Sequence, residues 1–394
     1  MNLKHKLSLS AAIAAAFAVP ILVGTASAAK TEAEALSPKA QLGRVLFFDS
    51  GLSEPAGQSC ASCHDPGRAF VDPDRNAATS KGVIPPLIGS RNTPSSMYMA
   101  FSPKFHWDEK EELYVGGQFW DGRAATLEEQ AKGPFVNPLE MANPHSKAVV
   151  DKVRRAAYAP MFEQVFGKDA LQDDAQAYER IAEALAEFQR TPQFAPFSSK
   201  YDAYLAGKAK LSKQEMRGLR LFEAEDKGNC AACHISQPGP KGEPPLFTDF
   251  TYDNLGVPRN PDNAFYRLPA KYNPAGELFV DRGLGGALKK ASEDGKFKVP
   301  TLRNIAITGP YMHNGYFKTL EGATAFYNDR DVRPQCGSNM ISEAEALKQK
   351  CWPAPEVASN VNKDELGNLK LTDREVADIV AFMKTLTDGW QPGK

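Results

Sequence analysis

Two six-residue motifs in this chain carry reactive side chains at the same spacing. The first is "SCASCH" at residues 59–64 and the second is "NCAACH" at residues 229–234. Two thiols separated by two residues can add to the two vinyl groups of a haem, and the histidine that follows can then reach the iron. The sequence therefore predicts two covalently bound haem c groups, held by Cys60, Cys63 and His64 and by Cys230, Cys233 and His234.

Two other uses of these cysteines are weaker alternatives. The four thiols could form a zinc cluster, but such a cluster does not require a histidine after each pair. A redox dithiol of the thioredoxin kind would need a strand leading into a helix, and no such pattern surrounds either motif.

Helical patterns surround both motifs in the same order. "LSPKAQLGRVLF" at 36–47 aligns with "LSKQEMRGLRLF" at 211–222, and "FWDGRAATLEE" at 119–129 aligns with "MHNGYFKTLEG" at 312–322. Each half ends in an amphipathic helix, at 178–190 and at 373–386. We predict a mainly α fold of two cytochrome c-like domains with long irregular loops, related by internal duplication.

The ends and the composition of the chain set its expected location and partners. Lysines and then an alanine-rich apolar run predict a secretory signal peptide over 1–28, cleaved near Ala28. The expected domains are 29–198, with the peroxidatic haem, and 199–394, with the electron-transfer haem. A formal net charge of −1 gives no indication of a nucleic-acid partner. We expect a periplasmic protein without stable membrane insertion.

Two cysteines lie outside the motifs. Cys336 and Cys351 lie fifteen positions apart in a polar, proline-containing stretch. In an oxidising compartment this spacing favours a disulfide that closes a short loop, with two free thiols as the alternative.

Several longer motifs together resemble one family. They are "SCASCHDPGRAF", "SRNTPS", "GGQFWDGRAATLEEQAKGP", "NCAACH" and "VPTLRNIAITGPYMHNG". With these motifs the chain, over roughly residues 36–388, resembles the bacterial di-haem cytochrome c peroxidases, including their MauG-type branch.

The resemblance implies a distal side for the His64 haem made by Gln118 and Glu128. A carboxylate there can take a proton from hydrogen peroxide and return it to the leaving oxygen, while Gln118 donates a hydrogen bond. Glu129 is the weaker candidate because Thr126 and Glu129 have the spacing of a capping box. Arg123 either assists electrostatically or pairs with an acid.

The resemblance also implies residues between the two haems. Trp107 matches a tryptophan that relays electrons, although a lone tryptophan is more often part of a core. Asn92, Thr308 and Pro310 match positions that hold a calcium ion, the last two through backbone oxygens, which suit a hard cation.

The chain departs from the usual peroxidase pattern at the iron ligands. Residues 65–105 contain no histidine, so we expect the His64 iron to be open without reductive activation. Later histidines, His106 or His145, could still reach that iron or could be surface residues.

On the second haem, Tyr327 stands where the family usually has methionine. Tyrosine is a hard ligand that favours oxidised iron, and it is typical of the MauG-type branch. The alternative is that Tyr327 is a packed aromatic residue and Met312 or Met340 binds the iron.

Three functions follow from these expectations. The first is a peroxidase that reduces hydrogen peroxide with electrons from a small donor protein, a cytochrome c or a cupredoxin. The second is a MauG-type enzyme that uses peroxide to oxidise side chains of a partner protein. The third is a di-haem electron carrier, which would need neither Gln118 nor Glu128.

Overall fold

Helices dominate residues 36–239 and 241–393, which are the residues that the computed structural model describes. The α-helices there are α1 (Pro38–Phe48), α2 (Leu127–Val136), α3 (Ser146–Arg155), α4 (Ala159–Phe166), α5 (Asp174–Gln189), α6 (Lys200–Leu205), α7 (Lys213–Glu223), α8 (Gly283–Leu288), α9 (Leu320–Asp329), α10 (Glu343–Gln349) and α11 (Asp373–Lys384). The expectation of a mainly α fold is confirmed. The predicted signal peptide and its cleavage at Ala28 lie outside the described residues.

Two helix pairs are built in the same way. Helix α1 packs on α5 and helix α7 packs on α11. At each crossing a glycine allows the backbones to touch: a Cβ on Gly43 would lie 1.8 Å from the Ala184 carbonyl oxygen, and a Cβ on Gly218 would lie 1.9 Å from that of Asp378. No larger residue fits either crossing without moving a helix.

Serine caps begin the two helices that lead into the motifs. The Ser37 side chain accepts a hydrogen bond from the Ala40 backbone, and Ser212 forms a capping box with Glu215. The predicted helical segments before the motifs are therefore confirmed, and each motif follows as a short 3₁₀ turn, Cys60–Ser62 and Cys230–Ala232.

Separate hydrophobic clusters lie behind the two helix pairs. One contains Phe47, Phe70, Phe188 and Phe194, and another contains Tyr201, Phe222, Phe247 and Phe382. Residues Leu36–Lys394 nevertheless form one compact unit by their backbone contacts. The expected division between residues 198 and 199 remains a prediction.

Strands are short and form two antiparallel pairs. Strand β1 (His106–Asp108) pairs antiparallel with β2 (Leu113–Val115), and β3 (Tyr252–Asp253) pairs antiparallel with β4 (Phe297–Lys298). Residues 72–96 contain neither helix nor strand, which agrees with the expectation of long irregular loops. Within the described part of the chain, no helix has the length and apolar character needed to cross a bilayer.

Cys336 and Cys351 form the predicted disulfide. The bond joins the segment after α9 to the residues just after α10, and both cysteines are buried in a small cluster with Trp352. The alternative of two free thiols is excluded.

Candidate functional site

One cavity of about 610 Å³ is lined by both cysteine–histidine motifs. Cys60, Cys63 and His64 contribute to its wall, and so do the motif residues of the second half, Cys230, Cys233 and His234. Residues 170 positions apart in sequence therefore face one interior space.

Each motif histidine is oriented by a backbone carbonyl. The Nδ1 of His64 lies 2.9 Å from the Phe70 carbonyl oxygen, and the Nδ1 of His234 lies 2.9 Å from that of Phe247. Ser96 also contacts the Nδ1 of His64 at 2.9 Å. Because Nδ1 is held in this way, Nε2 is left as the atom that can bind a metal.

Burial keeps both imidazoles neutral. It lowers the pKa of His64 and lowers the pKa of His234 to about 4. A neutral imidazole whose Nδ1–H donates to a carbonyl presents a lone pair at Nε2, which is the form that binds iron.

All four motif thiols are free and partly buried at the cavity wall. Burial raises the pKa of each thiol to about 12, so none is an activated thiolate at neutral pH. Unpaired cysteines beside a fixed histidine, at the edge of a cavity, fit the attachment of a haem.

The two alternatives for the cysteines fail on geometry. Among the described residues, no group of three or more His, Cys, Asp or Glu side chains could hold a metal ion, which excludes a four-cysteine zinc cluster there. The strand–helix surroundings of a thioredoxin-like dithiol are also missing, because each motif is a 3₁₀ turn after a helix.

The wall beside the first motif includes Gln118 and one face of α2. Gln118 is buried, and its side-chain amide donates to the Met99 carbonyl oxygen at 3.2 Å. On α2 the cavity is lined by Leu127, Gln130, Ala131 and Pro134. This spacing is one face of a helix.

Glu128 does not line the cavity. Its carboxylate accepts a hydrogen bond from Arg190 at 2.6 Å, at a position where 28% of its side chain is exposed. Burial opposes its ionisation, but hydrogen bonds from the backbone and from Arg190 outweigh that effect and lower its pKa. The structure therefore places Gln118 and Glu128 in different surroundings.

The neighbouring side chains have structural contacts. Thr126 caps α2 as expected, but the Glu129 carboxylate accepts from the Ala125 backbone instead of completing a capping box with Thr126. Arg123 pairs with Asp121 at 2.8 Å and lies over the Phe119 ring.

The wall beside the second motif is one face of α9. Thr319 caps this helix, and Leu320, Ala323, Thr324 and Tyr327 line the cavity. The Tyr327 hydroxyl makes no hydrogen bond to another described residue. Burial, and then the nearness of Cys233 and Cys230, raise its pKa. Tyr327 is thus a neutral phenol directed at the space beside the second motif.

The other proposed ligands differ in position. His106 and His145 are exposed residues that do not line the cavity; His145 caps α3. Met340 is exposed and outside the wall, whereas Met312 lines the cavity and remains an alternative to Tyr327.

Of the two tryptophans near Gln118, a different one from that predicted lines the cavity. Trp107 lies on β1, packs against Tyr114 with ring centroids 4.8 Å apart, and is not part of the wall. Trp120 is part of the wall, and its indole N–H donates to the Asn92 carbonyl oxygen at 2.8 Å. Sequence reasoning missed Trp120 because position within a motif does not show which way a ring points.

The three predicted calcium-site residues lie in the same wall. Asn92, Thr308 and Pro310 all line the cavity. The carbonyl oxygen of Asn92 is already engaged by Trp120, and its side-chain amide donates to the Ala78 carbonyl oxygen at 3.2 Å.

Comparison with known proteins assigns the family. A family model described as "Di-haem cytochrome c peroxidase" matches residues 37–210. The chain is 42% identical over 373 residues to the methylamine utilization protein MauG of Paracoccus denitrificans, covering 93% of this chain and 92% of that protein. The chain belongs to the di-haem cytochrome c peroxidase family.

Two further relatives agree with this assignment. Cytochrome c551 peroxidase of Nitrosomonas europaea is 31% identical over 354 residues, covering 90% of this chain and 80% of that protein. The crystal structure of the diheme peroxidase BthA from Burkholderia thailandensis matches with a TM-score of 0.74 and 36% identity, covering 90% of this chain and 87% of BthA. The chain is accordingly a di-haem peroxidase-type oxidoreductase with two haem groups.

Proposed function

We propose that this oxidoreductase reacts with hydrogen peroxide at an open haem held by Cys60, Cys63 and His64. Electrons would reach it through a second haem held by Cys230, Cys233, His234 and Tyr327. Haem iron, when bound, supplies the electron transfer that reduces peroxide to water.

One observation carries this proposal. Aligning α2 with α9 at their threonine caps pairs Leu127 with Leu320, and Pro134 with Tyr327. All four residues line the cavity. The side chain of proline has no atom that can bind a metal, whereas a phenol oxygen can. An open first site and a closed second site follow from this single difference.

Gln118 and Glu128 would handle hydrogen bonds and protons on the first side. Gln118 is already fixed in the wall by its bond to the Met99 carbonyl oxygen. Glu128, whose pKa is lowered, is ionised at neutral pH and can accept a proton. It must exchange its bond to Arg190 to reach the cavity, and its partial exposure leaves room for that movement.

A MauG-type activity is the second candidate. The 42% identity to a MauG protein favours it, and so does a tyrosine, rather than a methionine, in the wall beside the second motif. In that case peroxide would oxidise side chains of a partner protein. In the first case a small cytochrome c or cupredoxin would donate electrons, and in either case Trp107 would be a relay near the surface.

The setting of the enzyme is part of the proposal. The cysteine–histidine motifs and the Cys336–Cys351 disulfide support export to the periplasm, where covalent haem attachment and disulfides both occur. A calcium ion held by Asn92, Thr308 and Pro310 would sit in the wall that both haem sites share.

Electron paramagnetic resonance of the fully oxidised protein tests the proposal. The measurement is made before and after one equivalent of hydrogen peroxide. We expect one high-spin and one low-spin haem signal, with the high-spin signal lost on reaction. Two low-spin signals that do not respond to peroxide would contradict an open His64 site and would favour the electron carrier.

A further inference from the structure

The segment directly before Gln118 is held by residues from the second half of the chain. The Gly116 N–H donates to the Phe250 carbonyl oxygen at 2.9 Å, and the Tyr252 hydroxyl donates to the Gly116 carbonyl oxygen at 2.5 Å. The Lys298 ammonium donates to the Gly117 carbonyl oxygen at 2.6 Å. Three hydrogen bonds from residues 250–298 thus hold two consecutive residues, Gly116 and Gly117.

This backbone conformation depends on glycine. Gly116 and Gly117 have φ angles of +82° and +73°, which side-chain-bearing residues rarely adopt. A Cβ on Gly116 would also lie 2.2 Å from the Pro103 carbonyl oxygen. Larger residues therefore cannot replace Gly116 in this conformation. The position of the segment relative to the cavity depends on the hydrogen bonds from residues 250–298.

Lys298 is the unusual residue among those that hold Gly116 and Gly117. It is only 6% exposed, it lines the cavity, and its hydrogen bond to Gly117 is the one its ammonium group makes within the described residues. A buried ammonium group is costly unless it is well paired, so its presence in this wall calls for a function.

The charged groups around Lys298 are few. Asp121 is the acidic residue near it, and that carboxylate is shared with Arg91 and Arg123. Tyr252 is its cross-strand partner. On the neighbouring residue, Phe297 stacks on His313. Burial lowers the pKa of Lys298 to about 7, although Asp121 acts in the opposite direction.

We propose that Lys298 is a positioning residue, which fixes Gln118 through the Gly117 carbonyl and so lets the second half of the chain control the wall beside His64. This inference rests on the proposed role of Gln118. The contact spans 181 positions in sequence and joins β4 to the segment between β2 and α2.

A dependence on pH follows from this arrangement. An ammonium group donates a stronger hydrogen bond to a carbonyl than a neutral amine does. The hydrogen bond from Lys298 to Gly117 is therefore strongest below pH 7 and weakens as the pH rises through the pKa of Lys298.

Hydrogen exchange of the Gly116, Gly117 and Gln118 amides in the holoenzyme tests the inference. Lys298→Met removes the donor, and we expect exchange about tenfold faster at pH 6. Lys296→Met is the matched control, because Lys296 lies on the same segment but pairs with Glu293 and is not part of the cavity wall. Unchanged protection in Lys298→Met, or an equal loss in Lys296→Met, would overturn the inference.

The unmodified protein provides a second measurement that does not depend on the folding of a variant. Protection factors of the same three amides should be higher at pH 6 than at pH 8, and Lys298→Arg should remove that difference because arginine does not titrate there. Equal protection at both pH values in the unmodified protein would overturn the inference.

The rate of reaction with hydrogen peroxide, measured over the same pH range, tests whether the hydrogen bond from Lys298 affects function. We expect the rate of the unmodified protein to fall across pH 7 and that of Lys298→Arg to stay level. If amide exchange changes as expected but the protein does not react with peroxide, the proposed function is contradicted and the positioning role of Lys298 stands. The same transition near pH 7 in Lys298→Arg would overturn the coupling of Lys298 to Gln118.

Discussion

The His64 side and the His234 side of the cavity share most of their construction. Each has a glycine-mediated helix crossing, at Gly43 or Gly218. Each histidine bonds the carbonyl oxygen of a phenylalanine whose φ angle is positive, Phe70 at 55° and Phe247 at 54°. The helix crossings and the histidine orientation are therefore common to both sides, so they cannot account for a difference in chemistry between the two sides.

The ion pair at the rim is also repeated. Glu128 pairs with Arg190 at 2.6 Å, and Glu321 at the matching place on α9 pairs with Lys384 at 3.1 Å. The second pair has no expected part in peroxide chemistry. The comparison therefore separates two roles of Glu128, because any role beyond the shared ion pair must be absent at Glu321.

The two sides differ where one residue of the wall changes. Pro134 on α2 brings no metal-binding side chain to the cavity, whereas Tyr327 at the matching position on α9 brings a phenol. The proposed open site and closed site on a common scaffold therefore rest on a single position.

A substitution at Pro134 should have the largest effect on the haem signals and on the peroxide reaction. Pro134→Tyr would bring a phenol to the His64 side, and we expect most of the high-spin haem signal to disappear and the peroxide reaction to be largely lost. Pro134→Ala is the control, because it removes the ring without adding a ligand. A retained high-spin signal in Pro134→Tyr would show that this position does not decide which site is open.

Removing the charge of Glu128 should slow the reaction next most strongly. We expect Glu128→Gln to lower the rate of peroxide-dependent haem oxidation on the order of 100-fold, without loss of haem, since a proton acceptor is removed. Glu321→Gln breaks the matching ion pair and should change the rate little. Stopped-flow absorbance measures both, and equal rates in the two variants would limit Glu128 to the ion pair.

A sulfur ligand should change the reduction potential of the haem on the His234 side. We expect Tyr327→Met to raise the reduction potential of that haem on the order of 100 mV, because methionine favours reduced iron more than a phenol does. Tyr316→Phe is the control, since Tyr316 is buried outside the cavity wall. Spectroelectrochemistry that finds no shift for Tyr327→Met would favour Met312 as the ligand.

The two helix crossings should respond alike and with the smallest change in function. Gly43→Val and Gly218→Val each force a branched side chain into a backbone contact, and we expect each to reduce the free energy of unfolding by about 3 kcal/mol. Gly337→Val is the control, because a Cβ there meets no atom within 4 Å. Denaturant titration of the holoenzyme measures the loss, and a large difference between the two crossings would show that they are not equivalent.

Local features of the fold were predictable from the sequence. Ser37, Ser212 and Thr319 begin helices because their side chains satisfy backbone N–H groups a few residues away. The Cys336–Cys351 disulfide was predictable for a similar reason, since the two cysteines lie close along the chain. The division into two domains was also expected, but the contacts hold residues Leu36–Lys394 as one unit and leave that boundary a prediction.

Directions of side chains were harder to predict. Gln118 lines the cavity as the resemblance implied, but Glu128 turns to Arg190, and Trp120 takes the place in the wall that was expected of Trp107. Neighbouring residues on a helix or loop point in different directions, and which of them faces the interior depends on partners that are distant in sequence.

By itself the sequence determined the reactive groups of this protein: the two Cys-x-x-Cys-His motifs, the helices around them and a tyrosine, Tyr327, in place of the usual methionine. These follow from covalent spacing and from helical periodicity, which are local properties. Only the tertiary structure decided that both motifs face one cavity and that Lys298 grips Gly117 across 181 positions. Such contacts depend on how the packed helices and strand pairs bring distant segments together, and no local pattern encodes that.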